Sequence, residues 1–338
     1  MRILLLLGKI LLTLLLCCAF FLALMYRSDI SPDELITKYY TPQSHFLNVD
    51  GQNIHLRIMG EGEPIFLLHG SFASLHTWEV WQKELSPYFM TIALDFPGHG
   101  LTGPDDLKRY SIEDYSVLVQ QIAEKLSISK FHLAGNSMGG AVALQIASSR
   151  PDKVLTLALV NAAGAPQRKV RNLEIDSQSE ETKSPWIIQL AKSPLVSKVL
   201  LKCTPKFLFS MNLKEVYGDP KNIREETVDR YYELMLRKGN REATLDRLSQ
   251  RRQLDFDFDR ISMPTLILWG VKDSWIPVSQ ANNFQQVLPR ANLITLEEAG
   301  HVPMEEFPTE SVSEYLSFLG VEVRKNYLDP PKQIVYAD

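Results

Sequence analysis

The sequence predicts an α/β fold: a mostly parallel eight-stranded sheet with helices on both faces, an inserted helical cap, and an N-terminal membrane helix. Three observations carry this. Short apolar runs alternate with amphipathic stretches of helical spacing through most of the 338 residues, the pattern of parallel strands joined by helices. One connection of 95 residues, from Ala165 to Asp259, has no convincing strand. The first 27 residues contain no acidic side chain and a long apolar run.

That run comes first. Ile10 to Tyr26 is 17 residues without a charge, about 25 Å of helix at 1.5 Å per residue. Counting back past Lys9 to Ile3 makes it long enough to span, because a lysine near a helix end can snorkel to the headgroups. A cleaved signal peptide competes, but its small-x-small site is poorly matched: Phe21 stands two before Ala23, and Cys17-Cys18-Ala19 would cut inside the apolar stretch. A core helix is disfavoured by the lack of a polar face. Arg2 and Lys9 precede the span, whereas Arg27 is followed by Asp29, Asp33 and Glu34. This bias points to a cytoplasmic N-terminus with the folded part on the non-cytoplasmic side; secretion after cleavage is the alternative.

The strands follow. His45 to Val49 and Ile54 to Met59 alternate around Asp50-Gly51, a hairpin signature. Pro64 to Leu68, Met90 to Leu94, Phe131 to Ala134, Val154 to Val160, Pro264 to Trp269 and Asn292 to Leu296 are short apolar strand-type runs. Trp78 to Leu85, Ile112 to Leu126, Gly139 to Ala147 and Val278 to Val287 have helical spacing. Within the strandless connection, Trp186, Ile187, Leu190, Leu195, Val199 and Leu200 mark one amphipathic stretch and Tyr231, Tyr232, Met235 and Leu236 another; packing is their default role. The expected organisation is an anchor or signal at 1–27, a linker at 28–44, a core at 45–164 and 260–320, a helical cap at 165–259 and a tail at 321–338.

Composition narrows the function classes. With 36 Lys plus Arg against 40 Asp plus Glu the net charge is −4, which argues against nucleic acid as a partner. Without Arg2, Lys9 and Arg27 the remainder carries −7, so it has no evident attraction for anionic lipid. Cys17 and Cys18 lie in the apolar run and leave Cys203 alone, so no disulfide framework exists. No His, Cys or carboxylate cluster has metal-site spacing, and no cofactor is called for.

Chemistry enters at Gly135-Asn136-Ser137-Met138-Gly139, a Gly-x-Ser-x-Gly motif between the Phe131 strand and an apolar helical stretch. A sharp strand-to-helix turn strains the serine and leaves room only for hydrogens at Gly135 and Gly139. Ser137 is then exposed at a helix N-terminus, where N–H groups favour an anionic intermediate. A serine hydroxyl needs a base and a group to orient that base. Asp273 follows the Pro264 strand and His301 the Asn292 strand, and loops after successive parallel strands open on one sheet edge. Asn161, after the Val154 strand, cannot supply negative charge. Asp273 is therefore the preferred acid, with Glu297, Glu298, Glu305 and Glu306 open because they neighbour the histidine in sequence. Two backbone donors are needed for an oxyanion: Met138, and one after Pro64 to Leu68, where Ser71 is the choice and Phe72 the runner-up. His69 reads as a structural loop residue. His76, His99 and Asp95 have no assigned chemistry.

With these residues in order, the stretch from Ser44 to Leu319 resembles the cap-bearing α/β-hydrolases: His69-Gly70, Asp95-Phe96-Pro97-Gly98-His99-Gly100, the elbow at Ser137, Asp273, and Gly300-His301. Ser137 stands where haloalkane dehalogenases and epoxide hydrolases carry a carboxylate nucleophile, which sets those chemistries aside. The resemblance implies a serine hydrolase cleaving a small or medium apolar ester through an acyl-enzyme. Its alternatives are a carbon–carbon bond hydrolase of a vinylogous diketone, from which Phe72 departs by replacing the second glycine of a His-Gly-x-Gly loop, and a noncatalytic ligand-binding relative. The implied partners are a small apolar carbonyl substrate and the bilayer.

Overall fold

A computed structural model describes residues 2–166, 196–197, 199, 201–250, 254 and 256–321. Eight strands form one sheet: β1 (Ser44–Val49), β2 (Gln52–Met59), β3 (Pro64–Leu68), β4 (Met90–Leu94), β5 (Phe131–Asn136), β6 (Val154–Val160), β7 (Thr265–Gly270) and β8 (Asn292–Leu296). Their order is β1-β2-β4-β3-β5-β6-β7-β8. β1 and β2 pair antiparallel, as do β2 and β4, and the other neighbours are parallel. The hairpin turns at Asp50 and Gly51, both at positive φ (48° and 85°), which is the chain direction that matches strand twist. The elbow strand runs two residues past the expected Ala134, because Gly135 and Asn136 continue the pairing with Leu159 and Val160. β7 begins at Thr265 rather than Pro264; the proline carbonyl still accepts Leu157 N–H, but its nitrogen has no hydrogen to give.

Side chains alternate along each strand, so the sheet buries two separate cores. Phe66 and Leu68 of β3 join one with Val119 and Ile122 of α4 (Ile112–Lys125), Ile146 of α5 (Met138–Ser149) and Phe284 of α9 (Ser279–Val287). Ile65 and Leu67 join the other with Trp81 and Leu85 of α3 (Glu79–Leu85) and Tyr315 and Leu316 of α11 (Pro308–Phe318). Helix α4 starts at a capping box, Ser111 and Asp114 exchanging hydrogen bonds, and α3 is preceded by a tighter turn at Leu75–Trp78.

Between β6 and β7 the described residues form helices and no strand: α6 (Lys206–Val216), α7 (Glu225–Leu236) and α8 (Asn240–Ser249). Tyr232 and Leu236 are buried, in keeping with a packing role, whereas Val199 is exposed. Trp186, Ile187, Leu190, Leu195 and Leu200 lie outside the described residues, as does the tail after Val321.

Helix α1 (Arg2–Met25) is unbroken, and its stretch Leu5–Met25, with no part buried in the protein, is long and apolar enough to cross a membrane. Inside the stretch expected as a linker lies α2 (Pro32–Tyr39), capped by Ser31 accepting from Glu34 N–H. Its Leu35 is buried with Leu101 and Leu234. A short helix, α10 (Pro303–Glu306), follows the β8 loop.

Candidate active site

Ser137 sits at the junction of β5 and α5 with φ 52° and ψ −117°, a strained conformation for a residue with a Cβ. The neighbouring backbone accounts for the two glycines. A Cβ on Gly139 would meet the carbonyl of Leu68, and one on Gly135 the carbonyl of Gly139. Every residue from Phe131 to Leu144 is buried except Ser137, which is half-buried. The fold thus presents one hydroxyl where the chain is otherwise sealed.

The loops after β5, β6, β7 and β8 meet at this point. Asn136 Nδ2 donates to the carbonyls of Val160 (3.1 Å) and His301 (2.9 Å), which seats the histidine loop against the elbow. Asp273 is buried just past β7. Its Oδ1 accepts the N–H groups of Trp275 and Ile276 at 2.8 and 2.9 Å. Its Oδ2 lies 2.7 Å from His301 Nδ1. A carboxylate only accepts, so it fixes the proton on Nδ1 and leaves Nε2 with a lone pair. That Nε2 is buried and has no hydrogen-bond partner among the described residues.

The nearby glutamates have other partners. Glu305 accepts the hydroxyls of Tyr217 (2.7 Å) and Tyr231 (2.5 Å). Glu306 accepts the N–H groups of Gly218 (2.6 Å) and Gly300 (2.9 Å). Burial pushes its carboxyl up to about 7 against the pull of those bonds. Glu298 pairs with Lys272, and Glu297 is exposed.

Asn161, which has no charge to offer the histidine, is buried at φ 43°. Its Nδ2 donates to Asp273 Oδ2 at 2.7 Å and its Oδ1 accepts Gly270 N–H at 3.1 Å. The signal was there in its position, first after β6 and so beside the end of β7.

Ser71 and Phe72 lie in the turn after β3, packed on the elbow. Phe72 has φ 64°, a conformation that favours glycine, and it occupies the position where the His-Gly-x-Gly pattern has one. Among the described residues, none of the backbone N–H groups of Ser71, Phe72 and Met138 donates to a protein acceptor. Arg247 of α8 is buried over this turn. Its Nη1 donates to Ser71 Oγ at 2.9 Å, and its guanidinium lies 5.3 Å from the Phe72 ring centre. No local pattern distinguishes this arginine in the sequence.

His69 serves the loop. Its Nδ1–H donates to Gly70 O at 2.7 Å and its Nε2 accepts Phe96 N–H at 3.1 Å; burial lowers its pKa to about 4, so it stays neutral. A second Ser–His–Asp chain also exists: His55 Nε2 is 3.0 Å from Ser44 Oγ and His55 Nδ1 2.8 Å from Asp95 Oδ2. Asp95 also accepts the N–H groups of Leu75 and Leu101. Burial alone would raise the Asp95 pKa, yet the His55 hydrogen bond and charge hold it below the usual range. All three residues are sealed in the interior, so this chain is a structural tie. Among the described residues no group of three His, Cys, Asp or Glu side chains forms a metal site.

Known proteins bear on this geometry. A family model described as alpha/beta hydrolase fold matches residues 63–308. The chain is 31% identical over 262 residues to the dihydrolipoyllysine-residue acetyltransferase component of the acetoin cleaving system of Pseudomonas putida, a match covering 76% of this chain but only 64% of that protein. It is 30% identical to the monoacylglycerol lipase ABHD6 of Bos taurus, over 77% of this chain and 76% of that one. The crystal structure of a membrane phospholipase A, a bacterial virulence factor, superposes with a TM-score of 0.65 at 25% identity, covering 93% of this chain and 97% of that one. Elbow, loop order and these matches together establish that the chain belongs to the α/β-hydrolase fold family.

Proposed function

We propose that the protein is a membrane-anchored serine hydrolase that cleaves a small or medium apolar carboxylic ester through an acyl-enzyme. The observation that carries this is the 2.7 Å contact of Asp273 Oδ2 with His301 Nδ1, which leaves a buried Nε2 without a partner on a loop bonded to the elbow. Lipase and esterase names among the relatives, such as the pimeloyl-[acyl-carrier protein] methyl ester esterase of Nitrosomonas europaea, support an ester substrate.

In this mechanism Ser137 Oγ attacks the ester carbonyl while His301 Nε2 takes its proton. Asp273 holds the imidazole and stabilises the cation that forms. The N–H groups of Met138 and Ser71 receive the oxyanion. The imidazolium returns the proton to the departing alkoxide, leaving an acyl-enzyme. Water then attacks the acyl carbonyl as His301 takes its proton, and the acid leaves as Ser137 is regenerated. Helix α1 holds the enzyme in the bilayer with the hydrolase part on the non-cytoplasmic side.

The test is turnover of 4-nitrophenyl esters by the wild type and Ser137→Ala. Loss of the hydroxyl lowers kcat by on the order of 10⁴-fold or more; equal rates remove the proposal. Intact-mass analysis of the mature protein tests the anchor, and a chain beginning after residue 19 or 23 overturns it.

A further inference from the structure

An apolar cavity is lined by Phe72, in the turn beside the elbow, and by side chains of α6 and α8. Leu201, Thr204, Leu208, Met235 and Leu248 also line it. Lys202 and Cys203, between the lining residues Leu201 and Thr204, touch the foot of α1. Arg27 N–H donates to Lys202 O at 2.8 Å. Cys203 Sγ lies 3.6 Å from Leu22 O, inside the last turn of α1. Buried Arg241, at the cavity wall, donates to Arg27 O at 3.0 Å and to Asp29 Oδ1 at 2.6 Å. Ile30 then exchanges backbone hydrogen bonds with Leu236 and Lys238. The chain between α1 and β1 is therefore a strap fixed to α7 and α8, and it holds the cavity wall at Arg241 beside the apolar helix.

Exposed apolar side chains stand close by in the sequence. Phe207 and Met211, one turn apart on α6, are 51% and 50% exposed, and Val199 is 40% exposed. Such a pair, beside the foot of an apolar helix, suits a surface that lies in the headgroup boundary.

We propose that the substrate is a bilayer-resident lipid ester whose acyl chain leaves the leaflet at the foot of α1 and extends through this cavity to Phe72, bringing its carbonyl to Ser137. The proposal rests on the serine hydrolase reading and extends its ester from a small or medium one to a lipid ester with a long acyl chain. The hydrocarbon stays in an apolar environment along the whole path, and each methylene seated in the cavity favours binding roughly fourfold over water. The exposed Phe207–Met211 pair sits in the interface, so the cavity and the leaflet form one continuous apolar surface.

The experiment uses the full chain reconstituted in phosphatidylcholine vesicles, with 4-nitrophenyl palmitate in the bilayer and 4-nitrophenyl acetate in solution. Palmitate turnover by the wild type rises with its mole fraction in the bilayer at fixed bulk concentration. Leu201→Trp and Leu208→Trp, which enlarge two lining side chains, each lower the palmitate-to-acetate ratio of kcat/KM by roughly tenfold. Phe207→Asp with Met211→Asp changes only exposed positions and lowers the same ratio in vesicles by roughly tenfold. It decides the matter if either tryptophan variant fails to fold. Ratios unchanged in the folded variants, or palmitate turnover that follows bulk concentration alone, overturn this proposal while leaving acetate hydrolysis by the wild type intact. A wild type that hydrolyses neither ester overturns both readings.

Discussion

Asn161 Nδ2 and His301 Nδ1 converge on one oxygen of Asp273, each at 2.7 Å. The amide also accepts Gly270 N–H and donates to Gly300 O, so a single buried side chain after β6 ties the end of β7 to the loop after β8. It holds the acid in one orientation without adding charge. Asn161→Ala removes a hydrogen bond to a charged group, and such bonds are worth about 1.5–3 kcal/mol. The expected result is a kcat lowered by roughly 10- to 100-fold with KM for a short ester unchanged, because Asn161 is fully buried and acts through Asp273. Asn161→Asp is expected to cost at least as much, since it sets a second carboxylate against Asp273. Steady-state kinetics at several pH values check this; a KM effect alone contradicts it.

Arg247 is a positioning residue for the turn after β3. It holds Ser71 Oγ and lies over the Phe72 ring, so a side chain from α8 governs the shape of the proposed oxyanion turn. Arg247→Met keeps the buried stem and loses the donor, and is expected to lower kcat by roughly tenfold. Arg247→Lys recovers little, because an ammonium neither stacks nor forks as guanidinium does. Full rescue by lysine contradicts the positioning role.

Glycine positions should separate by surroundings. At Gly139 a Cβ would meet the Leu68 carbonyl, while at Gly51, φ 85°, nothing lies within 4 Å. Gly51→Ala therefore costs only the left-handed conformation, about 1–2 kcal/mol. Gly139→Ala must move backbone in the core and is expected to exceed about 4 kcal/mol and to abolish turnover. Urea unfolding of both variants measures the difference.

Glu306 bridges Gly300, the residue before His301, to Gly218 after α6. Burial raises its folded pKa from 4.5 to about 7. The folded state then binds a proton that the unfolded state releases, so this contribution to stability is complete below pH 4.5 and is lost as pH rises to about 7. Glu306→Gln removes that titration. Thermal unfolding between these pH values should show a smaller fall of Tm with pH in the variant than in the wild type; identical slopes contradict the assignment.

What the sequence made legible was what depends on neighbours in the chain. The Asp50-Gly51 turn, the apolar runs of the strands and the Gly-x-Ser-x-Gly elbow are local patterns, and parallel strands carry their loops to one edge, which is why Asp273 and His301 meet. Boundaries slipped where pairing decided them, as at Asn136 and Pro264. Helix α2 had its signals in Ser31, Pro32 and Asp33, but eight residues with one deeply buried leucine form no visible period. Arg247 on Ser71, Ser44 with His55 and Asp95, and the strap on α7 and α8 are long-range contacts between residue types that are ordinary at their own positions. Asn161 has no charge to lend and acts through hydrogen bonds alone, although its place beside β7 aims it at the acid.

The most direct measurement is active-site labelling with a fluorophosphonate, read by peptide mass spectrometry alongside loss of ester turnover. The account predicts one adduct per chain on the peptide containing Ser137, turnover falling in proportion to labelling, and no adduct in Ser137→Ala. Undiminished turnover in fully labelled protein, or an active wild type whose Ser137 never reacts, would contradict it.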